Sequence, residues 1–125
     1  MDQNGYYRYE LITAERGGSY VADKYAHTPE LVRDFLSLHD PMLRADLVQY
    51  LFSLADGGIY TDLDTKCLKP IDAWTPSVFK EKANLILGIE GDSLDSPLIP
   101  GFSHPVQFAT WTMAVKPGHN DRADY

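Results

Sequence analysis

Gly57-Gly58-Ile59-Tyr60-Thr61-Asp62-Leu63-Asp64 is an apolar stretch opened by two glycines and closed by two carboxylates. Ile59, Tyr60 and Thr61 suit a strand, and side chains at i and i+2 on an extended backbone point to one side. The pattern therefore predicts Asp62 and Asp64 facing a common space beyond the strand's end, about 6 to 7 Å apart. Like charges at that separation repel unless a cation lies between them. Hard carboxylate oxygens suit Mg²⁺ or Mn²⁺ rather than a soft metal, so the pair reads as a metal-diphosphate site. An isolated Asp-x-Asp is more often a solvated turn; the flanking order favours the ligand pair.

Upstream, Asp40-Pro41 supplies an N-cap and a proline at the first helical position, which predicts a helix to about Ala55 with Gly57-Gly58 as its stop. Leu43, Leu47, Tyr50, Leu51 and Leu54 recur at helical spacing and are expected to face the core, with Arg44, Asp46 and Gln49 off that stripe. Further elements follow from the same rules. Tyr7, Tyr9 and Leu11 alternate with Arg8, Glu10 and Ile12, predicting a half-buried strand that ends at a Gly17-Gly18 turn. A short helix follows from Ser19. Thr28-Pro29 opens another, with Leu31, Val32, Phe35 and Leu36 buried, ending near His39. Residues 84–90 read as a strand, 91–105 as a loop, and Ala109, Trp111, Met113 and Val115 as one face of a last strand closing at Pro117-Gly118. The chain contains no internal repeat or low-complexity tract.

At 125 residues and 44% hydrophobic composition the chain has material for a single modest core. Eleven Lys plus Arg against 18 Asp plus Glu give a net charge of −7, which disfavours nonspecific nucleic-acid binding and anionic membranes. No run approaches the ~18 apolar residues of a membrane span, and Met1-Asp2-Gln3-Asn4 lacks the features of a signal peptide. As written, the sequence reads as soluble. The single Cys67 cannot form an internal disulfide.

The helix, glycine turn, strand and acidic pair, with Arg44-Ala45-Asp46-Leu47 ahead of them, resemble the sugar-binding region of DXD-containing glycosyltransferases. The likeness points to the Och1-like family of fungal α-mannosyltransferases, glycosyltransferase family 32. Cys67-Leu68-Lys69-Pro70-Ile71, Gly88-Ile89-Glu90-Gly91-Asp92, Trp111-Thr112 and Lys116-Pro117-Gly118-His119 fall in the family's order, so the resemblance covers roughly residues 20 to 120. It implies an α/β class of GT-A type, a sandwich around a mostly parallel sheet. Whole members are longer, so residues 1–125 are expected to be a single, incomplete domain that lacks the first nucleotide-binding strand and helix.

The resemblance further implies retaining transfer of a sugar, mannose from GDP-mannose, to a hydroxyl of a glycan or sphingolipid head group, with Mn²⁺ or Mg²⁺. It also implies a Golgi lumenal setting, although this chain carries no membrane anchor. Asp64, farther past the strand end, is the expected direct metal ligand. Asp62 contacts the ribose or reaches the metal through water, because both carboxylates ligate one ion only if the backbone kinks. Asp46, 16 residues before Asp62, holds donor-sugar hydroxyls, against the plain alternative of a solvated helix residue. Arg44 is a candidate for the diphosphate or nucleotide, and shares a pocket with Asp46 only if the first helical turn is distorted. The family often carries Arg where this chain has Gln49, which keeps hydrogen bonding but loses the cation. Tyr60 is first a strand residue packed on the sheet and second a donor contact.

Other residues point less sharply. Glu90 and Asp92 end an apolar strand, where α/β sheets bind ligands, and are acceptor-side candidates or ordinary loop acids. Trp111 is expected in the core rather than stacked on a sugar. His119 is followed by Asn120 where the family has Pro, and a metal role is not expected of it. His27, His39 and His104 lie beside element ends and need no special role. Two further readings remain: a nucleotide-sugar-binding module without catalysis, and a structural or calcium-binding domain. Asp62-Leu63-Asp64 lacks EF-hand spacing, which sets the last aside. If the nucleotide half is missing, donor binding should be weak.

Overall fold

Thr13 opens the first helix: its hydroxyl accepts from the Arg16 N–H at 3.2 Å, and α1 runs Ala14–Lys24 with Glu15 in its first turn and Lys24 in its last. The computed structural model describes residues 4–116, in two units, residues 4–57 and Gly58–Lys116. Pro117, Gly118, His119 and Asn120 lie outside the described residues.

The strand expected over residues 7–12 does not form. Those residues are irregular, all but Ile12 are exposed, Ile12 packs against the helical core, and the Tyr7 N–H closes a turn on the Asn4 carbonyl at 2.9 Å. Alternation alone does not make a strand without a neighbour to satisfy its backbone. Gly17 and Gly18, expected as a turn, lie inside α1. Gly17 is buried, and a Cβ there would sit 3.2 Å from Val48 Cγ2, so this glycine serves close helix packing.

Pro29 starts α2, Pro29–Ser37, although the preceding Thr28 side chain makes no capping bond. Pro41 starts α3, Pro41–Ala55, where Asp40 does cap as expected, its carboxylate accepting from the Met42 N–H at 2.8 Å. Gly57 and Gly58, at φ of 65° and 98°, end it by a backbone path that other residues rarely adopt. Val21, Tyr25, Phe35, Val48 and Leu51 form the core of this unit. The buried Tyr25 hydroxyl donates to the Leu51 carbonyl at 2.7 Å, and burial raises its pKa.

The core face of α3 differs from the expected stripe. Leu51 is buried and Leu47 packs against the core, but Leu43, Tyr50 and Leu54 are exposed, and Val48 takes the interior position. This helix is apolar on more than one side, so periodicity alone does not select its buried face.

At the helix end, Asp56 places negative charge where the dipole disfavours it. Lys24 Nζ donates to its Oδ1 at 2.6 Å and the Tyr20 hydroxyl to its Oδ2 at 2.7 Å. The Lys24 hydrogen bond chiefly holds the Asp56 carboxyl below its ordinary value against the opposing effect of burial, with the Tyr20 bond adding to it. Burial, then the Asp56 hydrogen bond, pushes the Tyr20 hydroxyl well above the usual phenol range.

The second unit is a sheet of β1 (Gly58–Thr61), β2 (Leu85–Asp92) and β3 (Val106–Val115) in the order β1-β3-β2. Both pairings are antiparallel. A mostly parallel sheet is therefore not what the described residues form, although the α/β class stands. A parallel neighbour needs a crossover of a dozen or more residues, usually helical, whereas residues 93–105 between β2 and β3 hold no helix and return the chain antiparallel. Two short 3₁₀ turns, Ile71–Ala73 and Ser77–Phe79, lie between β1 and β2.

Register shifts interrupt the β2–β3 pairing between Leu87, Ile89 and Gly91. A Cβ at Gly91 would meet Phe102 and, at 2.9 Å, Ile99 Cδ1, so glycine lets the 93–105 loop close on the strand. Ala109 and Met113 are the buried apolar residues of the unit. Trp111, expected in the core, is 39% exposed instead.

Candidate active site

The acidic pair lies where the ladder gives way to a turn. Thr61 pairs with Thr112, and the Asp62 N–H donates to the Trp111 carbonyl at 2.9 Å, carrying the ladder one residue past β1. The chain then bends. The Asp62 carbonyl accepts from the Thr65 N–H at 3.2 Å and from the Thr65 hydroxyl at 2.7 Å, closing the turn Asp62-Leu63-Asp64-Thr65. The extended geometry expected of Asp62 and Asp64 is thereby corrected, and with it the argument from strand alternation. In its place stands a backbone bend between the two acids, closed by Thr65 on the Asp62 carbonyl.

The two acids differ in setting. Asp62 is half-buried, and its Oδ1 accepts from the Tyr60 hydroxyl at 2.8 Å. Tyr60 and Asp62 are two positions apart at the end of the ladder, which puts both on one side. Asp64 is exposed and makes no hydrogen bond or ion pair among the described residues. Leu63 between them is 88% exposed, as suits the tip of a turn.

This donor set fits a hard divalent cation. It consists of carboxylate oxygens, one fixed by a phenol and one open. No group of three or more His, Cys, Asp or Glu among the described residues forms a closed metal cage. Mg²⁺ and Mn²⁺ sites of this kind take one or two carboxylates and complete their shell with phosphate oxygens and water.

Arg44, Asp46 and Gln49 all belong to α3 in the helical unit. Asp46 is exposed and unengaged among the described residues. Arg44 is half-buried: its Nη2 donates to the Leu36 carbonyl at the end of α2 at 2.5 Å, and its guanidinium lies 5.9 Å from the Phe35 ring centroid. Its Nε is buried with no hydrogen-bond partner among the described residues. Gln49 is buried in the helix rather than presented to solvent. In the sheet unit, Glu90 accepts from Gln107 Nε2 at 2.8 Å, and Asp92 accepts from the Leu94 N–H at 3.1 Å, which is an ordinary turn contact.

Beside the acidic turn the hydroxyls of Thr61, Thr65 and Thr112, none of them expected at the site, meet one another. The only local signal was a threonine on each side of Asp62 and Asp64, because Thr112 lies on another strand.

No helix among the described residues is long and apolar enough to cross a membrane. No solved structure matches the chain. The initiation-specific α-1,6-mannosyltransferase of Schizosaccharomyces pombe is 44% identical over 116 residues, covering 90% of this chain and 29% of the relative. The protein of that name from Candida albicans is 31% identical over 123 residues, 94% of this chain and 32% of the relative. A mannosyl phosphorylinositol ceramide synthase of Saccharomyces cerevisiae is 33% identical over 72 residues, 58% of this chain and 18% of the relative. The chain thus spans about a third or less of the length of these relatives. The family model described as the glycosyltransferase sugar-binding region containing the DXD motif matches residues 1–80, which include the Asp62-Leu63-Asp64 turn. The chain belongs to this family of DXD-containing glycosyltransferases.

Proposed function

We propose that this chain carries the donor-binding part of a metal-dependent glycosyltransferase that moves mannose from GDP-mannose, with retention, to a hydroxyl of a glycan or sphingolipid acceptor. The observation that carries the reading is the acidic turn at the end of β1, with Asp62 held by Tyr60 and Asp64 open to solvent, inside the matched family region. Relatives named as mannosyltransferases support mannose, and one named as a ceramide-linked synthase keeps a sphingolipid acceptor in view. In this reading the protein works in the Golgi lumen, within a GT-A-type domain.

Asp64 is the direct ligand to Mn²⁺ or Mg²⁺. Asp62 orients the ribose or meets the metal through water, with Tyr60 fixing its carboxylate from the side. When bound, the cation supplies positive charge to the diphosphate oxygens as the glycosidic bond breaks. Asp46 accepts hydrogen bonds from donor-sugar hydroxyls, as its open carboxylate permits. Arg44 completes the donor side after exchanging its Leu36 contact for the nucleotide, whereas Gln49, buried in the helix, makes no donor contact in this reading.

A second reading is a donor-binding module without turnover. Its support is that Gln49 is neutral and buried and Arg44 is already tied to the end of α2, so this part of α3 presents no open cation. Turnover separates the two. The chain is incubated with GDP-mannose, a mannose-terminated oligosaccharide and Mn²⁺, with EDTA as control, and GDP and extended product are measured. Metal-dependent product supports the enzyme reading; metal-dependent donor binding without GDP or product supports the module; no donor binding by the folded chain overturns both.

A further inference from the structure

Three threonine hydroxyls join the acidic turn to the central strand, and counting protons settles their direction. Each hydroxyl has one proton to give. The Thr65 hydroxyl lies 2.7 Å from the Asp62 carbonyl, which can only accept, so Thr65 spends its proton there. In its contact with Thr61, Thr65 must then accept and Thr61 must donate. Thr61 has no second proton, so in its 3.1 Å contact with Thr112 it accepts and Thr112 donates. The result is a directed chain, Thr112 to Thr61 to Thr65 to the Asp62 carbonyl. Its origin is β3, the middle strand of the sheet, and its end is the first residue of the turn that carries both acids. Hydroxyls aligned head to tail polarise one another, so the links strengthen together.

We propose that Thr112, Thr61 and Thr65 are positioning residues that hold the Asp62-Leu63-Asp64 turn in the bend needed to bind a divalent cation with a nucleoside diphosphate. The proposal rests on the donor-site reading above. Backbone bonds alone leave the turn with the 3.2 Å Thr65 N–H contact across it. The hydroxyl chain adds a second, shorter bond to the same carbonyl and anchors it to a strand paired on both sides. Outer groups that orient metal-binding carboxylates commonly change metal affinity by about 10- to 100-fold when removed.

Valine keeps the shape of threonine and removes the hydroxyl, so Thr65→Val and Thr61→Val are the primary variants. Thr65→Ser restores the hydroxyl, and Thr112→Val replaces any variant that fails to fold. Two readouts are taken on the 125-residue chain: hydrogen exchange of the Thr65 amide without ligand, and the dissociation constant for GDP with Mn²⁺, beside Asp64→Ala. The expected result is Thr65 amide exchange roughly tenfold faster in Thr61→Val, an affinity loss of roughly tenfold in both valine variants, and recovery in Thr65→Ser. Unchanged exchange in Thr61→Val would overturn the hydroxyl chain. Faster exchange with unchanged affinity, while Asp64→Ala loses binding, would overturn its role in positioning and leave the donor site standing. No binding by a folded wild type would overturn the donor-site reading itself, and the exchange readout would still decide the chain.

Discussion

The two units of this protein are held in different ways. Residues 4–57 enclose five buried apolar or aromatic side chains from three helices, with a buried tyrosine bonded across them. Residues 58–116 bury Ala109 and Met113, while Leu85, Ile89 and Phe108 on their strands are each more than half exposed. Here order comes from the backbone ladder and from side-chain bonds at the acidic turn. The difference teaches where substitution should be felt. In the helical unit, contacts carry stability; in the sheet unit, hydrogen bonds at one turn carry the proposed chemistry.

The contrast breaks most visibly at Phe35. Phe35→Ala empties a position that is 2% exposed and should cost about 3–5 kcal/mol of stability, read by urea denaturation. Phe108→Ala, at 54% exposure, should stay within about 0.5 kcal/mol. Equal losses would refute the difference in how the units are held. Gly17→Val tests the close approach of α1 to α3. Crowding Val48 should cost about 1–3 kcal/mol, and an unchanged melting temperature would mean the helices separate without penalty.

Tyr60→Phe sharpens the other side. Stability should move little, and donor affinity with Mn²⁺ should fall roughly tenfold, because Asp62 loses the phenol that orients it. A large stability loss with unchanged affinity would make Tyr60 a packing residue only.

The pH profile should show a smaller effect with a defined sign. Tyr20 and Tyr25 have raised pKa values, so their contribution is fully present below the unfolded value of about 10 and is lost as pH rises through the higher folded values. Asp56 is lowered, so its contribution is present above the unfolded value of about 4 and is lost as pH falls through the lower folded one. Thermal melting should therefore hold level from about pH 5 to 9 and fall on both sides. Tyr20→Phe should blunt the alkaline fall. Lys24→Ala removes a bridge whose partners are 47% and 35% exposed and should cost no more than about 1 kcal/mol, less at high salt.

Much of this arrangement was legible where a local signal had a single reading. Asp40-Pro41 and Gly57-Gly58 bounded α3 because a cap, a ring and a positive φ each act within a few residues. The last strand was legible from alternation, although Trp111 turned outward. Residues 7–12 misled because alternation does not reveal whether a neighbouring strand exists. Gly17 misled because a glycine that admits another helix looks, in one dimension, like a turn. The acidic pair was found by residue type, yet its turn depends on Thr65 and on Thr112, 51 positions from Thr61. No local pattern announces a hydrogen bond of that span.

The central claim is that the Asp62-Leu63-Asp64 turn is a metal-dependent donor site. Its most direct test is calorimetric titration of the folded chain with GDP-mannose, with and without Mn²⁺, beside Asp64→Ala. The account predicts weak binding heat that requires Mn²⁺ and disappears in the variant while its melting temperature stays unchanged. Heat that persists in Asp64→Ala, or none from the folded wild-type chain with Mn²⁺ present, would contradict it.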